Sequence, residues 1–211
     1  MQQDRVQTAG QPPFWRRHWL ALLVGLIGLA AAGSLLFAYW QSKQIPVIKR
    51  MDDFTLEKLD GTPFHLRDTD GKVRLVSFIF THCPDVCPAT TFYMAKMQEE
   101  LKAKGLYGKD VVFLTITFDP ERDTPEVLQK YAEQFHADQS GWYFLRGDEA
   151  TVAQVTKAFG IGVLKQPDGS YLHTMRTFIL DKERNLRVMH GMGAEMDPDA
   201  VTRDLEQLAD E

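Results

Sequence analysis

Both cysteines of this chain lie in one short stretch, "THCPDVCPAT" at residues 81–90, where Cys83 and Cys87 are four positions apart and each precedes a proline. Two sulfurs at this spacing can form a structural disulfide, exchange disulfides with another protein, or bind one soft metal ion. A structural disulfide is the least favoured of these roles, because closing a loop this short removes little conformational entropy from the unfolded chain. Disulfide exchange alone is less favoured, because thioredoxin-type motifs separate their cysteines by two residues. The spacing therefore favours a metal, and Cu(I) is typical of thiolate ligands.

The proline after the second cysteine predicts where a helix starts. Pro88 cannot lie deep inside a helix without a clash, so regular helix is expected to begin near Cys87. The unpaired amides and the positive end of the helix dipole would stabilise a thiolate there. We therefore expect the pKa of the Cys87 thiol to lie below its free value of about 8.5.

Two apolar segments on either side of this helix predict the strands that position the cysteines. "VRLVSFIF" (73–80) and "VVFLTITF" (111–118) are almost continuously apolar and rich in β-formers, as strands covered on both faces would be. In the segment between them, Met94, Met97 and Leu101 recur at helical spacing. In open α/β sheets reactive groups gather where strands end and helices begin, which places the cysteines at the functional edge.

The rest of the chain predicts one α/β domain. Residues 54–66 predict a hairpin around Asp60-Gly61, and Thr124-Pro125 opens a helix. The further predicted elements are a strand at 142–146, a helix through Val152, Val155 and Phe159, two strands within 174–190 joined at "DKERN", and a final helix from Asp197-Pro198 with Val201, Leu205 and Leu208 inward. Parallel crossovers followed by an antiparallel hairpin predict a thioredoxin-like α/β fold, a mixed sheet flanked by helices.

Two sulfurs rarely complete a stable copper site, so a third ligand is expected among the histidines. His173 in "YLHT" precedes the strand that starts the terminal hairpin, at a loop that faces the cysteine turn in this fold. We therefore predict metal ligation by Cys83, Cys87 and His173. Other histidines are predicted to be ordinary surface residues or to point away from Cys83: His18, His65, His136 and His82. The segment "VMHGMGAEM" (188–196) suggests a second copper path but is interpreted as core and loop residues: Met189, His190, Met192 and Met196.

An uncharged apolar segment precedes this domain. The 22 residues from Trp19 to Trp40 are long enough as a helix to cross a hydrocarbon core of about 30 Å. Residues 1–18 are then a tail, 19–40 a membrane anchor, 41–50 a linker and 51–211 the folded domain. A cleaved signal peptide ending at the alanines 30–32 is the alternative. Basic residues flank both ends, so counting charges leaves the orientation open.

The net charge of residues 41–211 argues against nucleic acid as a partner. Residues 41–211 carry 21 Lys or Arg against 28 Asp or Glu, a balance of −7. This balance gives no support for nucleic-acid binding.

Two long motifs resemble a known family. "SFIFTHCPDVCP", then "TFDPERDTPEVLQKYAEQF", then a histidine before a strand and a single amino-terminal anchor are similar to the Sco family (SenC/PrrC) of copper-binding cytochrome c oxidase assembly proteins, over residues 51–211. The resemblance implies a cytoplasmic tail (1–18), a single span of the inner membrane and a periplasmic domain that binds Cu(I), or also Cu(II), through Cys83, Cys87 and His173.

The resemblance also implies partners. Family members deliver copper to the dinuclear centre of cytochrome c oxidase subunit II, or keep its cysteines reduced as thiol-disulfide oxidoreductases. Further expected partners are other periplasmic copper chaperones and thioredoxin-like reductases. A peroxiredoxin-like peroxidase is a distant third interpretation, because no peroxide-activating arginine can be assigned.

One residue departs from the family pattern. Many relatives carry aspartate before the metal histidine, whereas Leu172 precedes His173 here, so copper affinity is expected to differ. Asp119, Arg122 and Asp123 of "DPERDT" follow the second buried strand, and are interpreted as loop and cap residues that the resemblance makes candidates for supporting the site.

Overall fold

The structure is a computed structural model that describes residues 14–42, 44–167 and 169–211, with the side chains of the first helix described for residues 18–37. The chain divides into two compact units, residues 1–44 and Ile45–Glu211. We describe each unit by itself.

The first unit contains one long helix, α1 (Phe14–Ser42). Its segment His18–Phe37 has a mean hydropathy of 2.4 and is the only helix among the described residues that is long and apolar enough to cross a membrane. This helix agrees with the apolar segment that the sequence predicts at Trp19–Trp40. The predicted tail falls largely on residues 1–13, which lie outside the described residues.

The second unit is built on an eight-stranded mixed sheet with the strand order β1-β10-β9-β4-β5-β6-β2-β3, and β7 pairs with β8 in a separate hairpin. The strands are β1 (Lys49–Arg50), β2 (Thr55–Lys58), β3 (Pro63–His65), β4 (Val73–Ile79), β5 (Val111–Thr117), β6 (Trp142–Arg146), β7 (Val163–Lys165), β8 (Tyr171–His173), β9 (Arg176–Leu180) and β10 (Asn185–Gly191). The helices are α2 (Val86–Ala103), α3 (Pro125–Gln134), α4 (Glu149–Phe159) and α5 (Pro198–Asp210).

The centre of the sheet consists of the two strands that the sequence predicts to be covered on both faces. Every residue of β4 and β5 is buried, and the two strands run parallel, as do β5 and β6. β9 joins β4 antiparallel and continues into β10, which forms the terminal hairpin. The thioredoxin-like prediction of a mixed sheet flanked by helices is confirmed.

The helices start at side chains that satisfy free backbone amides. Thr124 accepts a hydrogen bond from the amide of Val127 at 3.4 Å, and Pro125 occupies the first helical position of α3. At the start of α4, Asp148 accepts one from Thr151 at 2.7 Å. Helix α4 then packs on the sheet through Phe159, whose ring contacts the rings of Phe78 and Phe178. Helices α2 and α5 contact each other, and α5 contacts β4.

Residues 45–50, which the sequence analysis assigned to the linker, belong to the folded unit. Lys49 and Arg50 pair with Leu186 and Asn185 at the edge of the sheet. The carbonyl of Ile45 accepts hydrogen bonds from the Arg187 guanidinium. A polar segment of ten residues offers no periodicity, so edge pairing of this kind leaves no signal in the sequence.

Candidate metal centre

The two cysteines lie where β4 ends and α2 begins. The amide of Cys83 donates to the carbonyl of Phe80 at 3.2 Å, which closes a turn directly after the strand. Helix α2 starts at Val86, so Cys87 is in its first turn, as the sequence predicts. Asp85 precedes the helix but its side chain makes no capping hydrogen bond. The sulfur of Cys83 takes that role, because it accepts the amide N–H of Cys87 at 3.4 Å.

This position determines the ionisation of Cys83. The Cys87 thiol donates to the sulfur of Cys83, and the amides of Asp85, Val86 and Cys87 do so as well. These hydrogen bonds outweigh partial burial and lower the pKa of Cys83 to about 5. Cys83 is half-buried, and it is therefore a reachable thiolate at neutral pH.

The ionisation predicted for Cys87 is wrong. Its side chain is fully buried, with 0% exposed. Its thiol donates to the sulfur of Cys83, and burial and the negative charge of Cys83 further disfavour a second thiolate, so the pKa of Cys87 is raised. The helix terminus does stabilise a thiolate, but on the sulfur that precedes the helix.

Asp123 holds the turn that carries the cysteines. Its side chain is fully buried and accepts hydrogen bonds from the Thr81 amide at 3.1 Å, from the Thr81 hydroxyl and from the Thr117 hydroxyl. Burial raises the pKa of Asp123 in spite of these donors. Because Thr81 lies two residues before Cys83, this carboxyl connects the end of β5 to the cysteine turn.

His173 lies at the end of β8, against the same turn. Its ring contacts Phe118 with centroids 4.9 Å apart and Phe80 with centroids 6.2 Å apart. Its Nδ1 lies 3.1 Å from the carbonyl oxygen of Thr174. Because a carbonyl can only accept, this contact places the proton on Nδ1 and leaves Nε2 of the neutral ring with a free lone pair for a metal.

The three predicted ligands do not meet in a closed cluster. Across residues 14–42, 44–167 and 169–211, no group of three His, Cys, Asp or Glu side chains lies close enough to hold a metal ion. The two sulfurs are in contact, and the imidazole packs against Phe80, whose carbonyl binds the Cys83 amide. The donor set of thiolate, thiol and imidazole is one that suits copper.

No other histidine forms a three-residue ligand group with the cysteines among the described residues either, and His18 lies in α1. The segment 188–196 packs on the start of α2, where the Gly193 amide donates to the Thr90 hydroxyl at 2.8 Å. His82 is exposed beside Cys83, with Nδ1 3.3 Å from the Thr81 hydroxyl. His65 contacts Thr55 and His136 lies in the turn after α3. In the segment 188–196, the side chains of Met192 and Met196 are buried, and His190 pairs with Asp204 at 2.8 Å. The interpretation of that segment as core and loop holds for the buried Met192 and Met196, whereas Met189 and His190 lie in β10 and Met189 is 49% exposed.

Sequence reasoning did not identify Tyr171. Its hydroxyl donates to Asp119 at 3.0 Å, and its ring contacts Phe80 and Phe118 at centroid distances of 5.2 and 5.1 Å. The available signal was its position two residues before His173, since alternate residues of a strand share a face. Leu172 between them is 64% exposed.

A family model described as SCO1/SenC matches residues 43–210. A curated relative, the SCO1 protein homolog of Bacillus subtilis, is 31% identical over 125 residues, which is 59% of this chain and 63% of the relative. The chain thus spans less than two thirds of that relative.

Solved structures extend the likeness to the fold. The structure of Arabidopsis thaliana ScoI with copper bound has a TM-score of 0.64 at 27% identity, covering 74% of this chain and 98% of that one. A structure described as revealing a disulfide switch in BsSco, a member of the Sco family of cytochrome c oxidase assembly proteins, has a TM-score of 0.69 at 25% identity, covering 80% and 98%. With a family match over most of its length, on a fold and a cysteine motif of the expected kind, this chain belongs to the SCO1/SenC family.

Proposed function

We propose that this chain is a membrane-anchored copper metallochaperone that binds Cu(I) through Cys83, Cys87 and His173 and delivers it to the dinuclear copper centre of cytochrome c oxidase subunit II. The observation that carries the proposal is the pair of sulfurs at the start of α2, of which Cys83 is a half-buried thiolate. Cu(I) prefers such soft ligands. The Sco structure with copper bound supports the same metal for this chain.

Each ligand has a distinct part in the proposal. The Cys83 thiolate makes the first bond, because it is both ionised and reachable. Cys87 must lose its proton as the metal binds, which couples copper affinity to pH. The Nε2 lone pair of His173 would complete a three-coordinate site after the His173 side chain rotates toward the sulfurs. A site at the rim of the sheet remains open to the cysteines of an acceptor.

Copper analysis of the reduced, full-length protein in detergent under anaerobic conditions tests this assignment. We expect one Cu(I) per chain in the wild type and reduced copper retention in Cys83→Ser, Cys87→Ser and His173→Ala. His82→Ala is the matched control, because His82 is an exposed histidine adjacent to Cys83. Full copper retention in any of the three ligand variants would contradict the role of that residue.

The delivery step requires its own experiment. Protein loaded with Cu(I) is mixed with copper-free subunit II, one equivalent of a one-electron oxidant such as ferricyanide is added per dinuclear centre, and the visible absorption of the mixed-valence centre is measured. We expect absorption to appear with the wild type and to be strongly reduced with His173→Ala. Equal transfer by copper salt alone and by the loaded protein would argue against a chaperone role.

The second candidate function is thiol-disulfide exchange that keeps the oxidase cysteines reduced, and the unequal ionisation of the pair favours it. The Cys83 thiolate would attack a substrate disulfide and release one substrate thiol. Cys87 would then lose its proton and attack Cys83, which releases the second thiol and leaves a Cys83–Cys87 disulfide for a thioredoxin-like reductase to reduce. His173→Ala separates the two functions, because exchange would survive this change and three-coordinate copper binding would not.

A further inference from the structure

The hairpin that carries His173 is not part of the main sheet. Strands β7 and β8 pair only with each other among the described residues, through three residue pairs from Val163↔His173 to Lys165↔Tyr171. A two-stranded hairpin of this length has little stability of its own in water. The position of the His173 imidazole must therefore be determined by contacts between the hairpin and the rest of the domain.

These contacts converge on the loop that follows β5. Asp119 is fully buried, and its carboxylate accepts hydrogen bonds from the Tyr171 hydroxyl at 3.0 Å and from Nε of Arg122. Nη2 of Arg122 donates to the carbonyl of Gly169 at 2.6 Å, in the turn between β7 and β8. One guanidinium thus binds the buried carboxylate and the tip of the hairpin together.

The geometry leaves this arrangement little freedom. A buried carboxylate is costly unless hydrogen bonds satisfy it, so Asp119 favours the one hairpin position in which Tyr171 donates to it. Gly169 has φ +80°, and a Cβ there would lie 3.3 Å from Nη1 of Arg122. Glycine therefore allows both the turn and the close approach of the guanidinium.

The same loop also holds the other half of the site. Asp123, four residues after Asp119, binds the backbone and side chain of Thr81 in the cysteine turn. Phe118 at the start of the loop contacts the rings of both Tyr171 and His173. Residues 118–123 therefore contact the cysteine turn and the histidine hairpin at once.

We propose that Asp119, Arg122 and Tyr171 form a brace that holds the hairpin beside the cysteine turn, so that rotation of the His173 side chain alone brings Nε2 to a copper ion on the two sulfurs. They are positioning residues that act through the hairpin. This inference rests on the proposed ligand role of His173, and one part of its test needs no metal.

The metal-free test uses the ring contacts of His173. In the wild-type protein the nearby rings of Phe118 and Phe80 shift the NMR signals of the His173 imidazole. We expect Tyr171→Phe, which removes one hydroxyl and retains the ring, to move these signals toward the values of a free histidine. Asp119→Ala, which removes the acceptor of both Tyr171 and Arg122, and Arg122→Gln should do the same to a larger extent. Wild-type imidazole signals in Tyr171→Phe would overturn the brace.

Tyr107→Phe is the matched control. The half-buried Tyr107 hydroxyl donates to the Asp138 carbonyl at 2.6 Å and lies 3.1 Å from Gln98 Oε1, in a part of the fold remote in sequence from the hairpin. We expect this variant to lose stability while its His173 signals and copper affinity stay at wild-type values. A loss of copper affinity equal to that of Tyr171→Phe would mean that general destabilisation explains both, and would overturn the brace.

The copper test measures the Cu(I) dissociation constant by competition with a chromogenic chelator. We expect the constant to rise about 10-fold or more in the brace variants, as is typical when residues that orient a metal ligand are changed. Tyr171→Phe combined with Asp119→Ala should bind no more weakly than Asp119→Ala alone, because both changes remove the hydrogen bond between Tyr171 and Asp119. If the losses of copper affinity in the two single variants add up in the double variant, the proposed coupling between Tyr171 and Asp119 is overturned.

The two proposals fail in different ways. If His173→Ala binds copper as tightly as the wild type, the ligand assignment fails, while the imidazole signals still report on the brace. If His173→Ala loses copper and Tyr171→Phe does not, the ligand assignment stands and the brace is overturned.

Discussion

The two sulfurs ionise differently because only one of them can receive hydrogen bonds from the start of α2. Cys83 precedes the helix and accepts from its first amides, whereas Cys87 is buried within the first turn and donates to Cys83. The pair therefore combines a nucleophilic, metal-seeking thiolate with a protonated thiol. Both proposed functions use this difference, because each begins with a reaction at Cys83.

We predict that alkylation of Cys83 by iodoacetamide is already near its maximal rate at pH 7. With a pKa lowered to about 5, the thiolate fraction rises through pH 5 and is nearly complete by pH 7, two units higher. A typical thiol would still gain reactivity up to about pH 9. Mass spectrometry of the labelled reduced protein measures this profile. A rate that continues to rise through pH 8.5 would contradict the assignment.

Changes at Cys87 test the cause of that shift. We expect Cys87→Ala to raise the pKa of Cys83, because it removes the hydrogen bond that lowers the pKa most. Cys87→Ser retains a hydroxyl donor and should raise it less. The same pH profile of alkylation gives both values. Equal shifts in the two variants would show that the donated proton is not the cause.

At the scale of elements, the loop between β5 and α3 joins parts of the fold that are distant in sequence. Asp123 binds Thr81 after β4 and Thr117 at the end of β5. The sequence predicted both strands and helix α3, since long apolar runs and a Thr-Pro start are local signals. It predicted neither β7 nor β8 and placed His173 in a loop, because strands of three residues show no usable period.

We predict that Asp123→Ala lowers the free energy of unfolding by about 2 kcal/mol, because the half-buried donors on Thr81 and the buried hydroxyl of Thr117 lose their acceptor. Asp123→Asn, which retains an acceptor for the Thr81 amide, should lose less. Urea unfolding of each variant measures the change. Asp148→Ala is the control, because it removes an exposed helix cap remote from the cysteines. A smaller decrease in the free energy of unfolding for Asp123→Ala than for Asp148→Ala would contradict the role of Asp123.

At the scale of the whole molecule, α1 is compatible with a membrane anchor. We predict that the full-length chain stays in the membrane pellet after an alkaline carbonate wash, because His18–Phe37 is long and apolar enough to span a bilayer. Intact mass of the purified protein should include residue 1. A mature chain that begins after the alanines 30–32 would support the cleaved signal peptide and contradict the anchor.

The proposed orientation has a direct test through Cys83. In cells with a permeabilised outer envelope and an intact inner membrane, a membrane-impermeant maleimide should label this thiolate, because the folded domain is proposed to face the periplasm. Labelling of Cys83→Ser is the control, since the buried Cys87 should remain unreactive. Labelling that appears only after the inner membrane is opened would place the domain in the cytoplasm.

The sequence by itself determined the apolar segment of α1, the order of the central strands and helices, the position of the cysteines at the start of α2, and the family. These features follow from local periodicity, helix start signals and contiguous motifs. Only the tertiary structure decided that Cys83 and not Cys87 has the lowered pKa, that residues 45–50 join the sheet, and that Tyr171, Asp119 and Arg122 meet beside His173. The physical reason is that exclusion of water and contacts between distant segments set ionisation and position, and neither leaves a pattern in neighbouring residues.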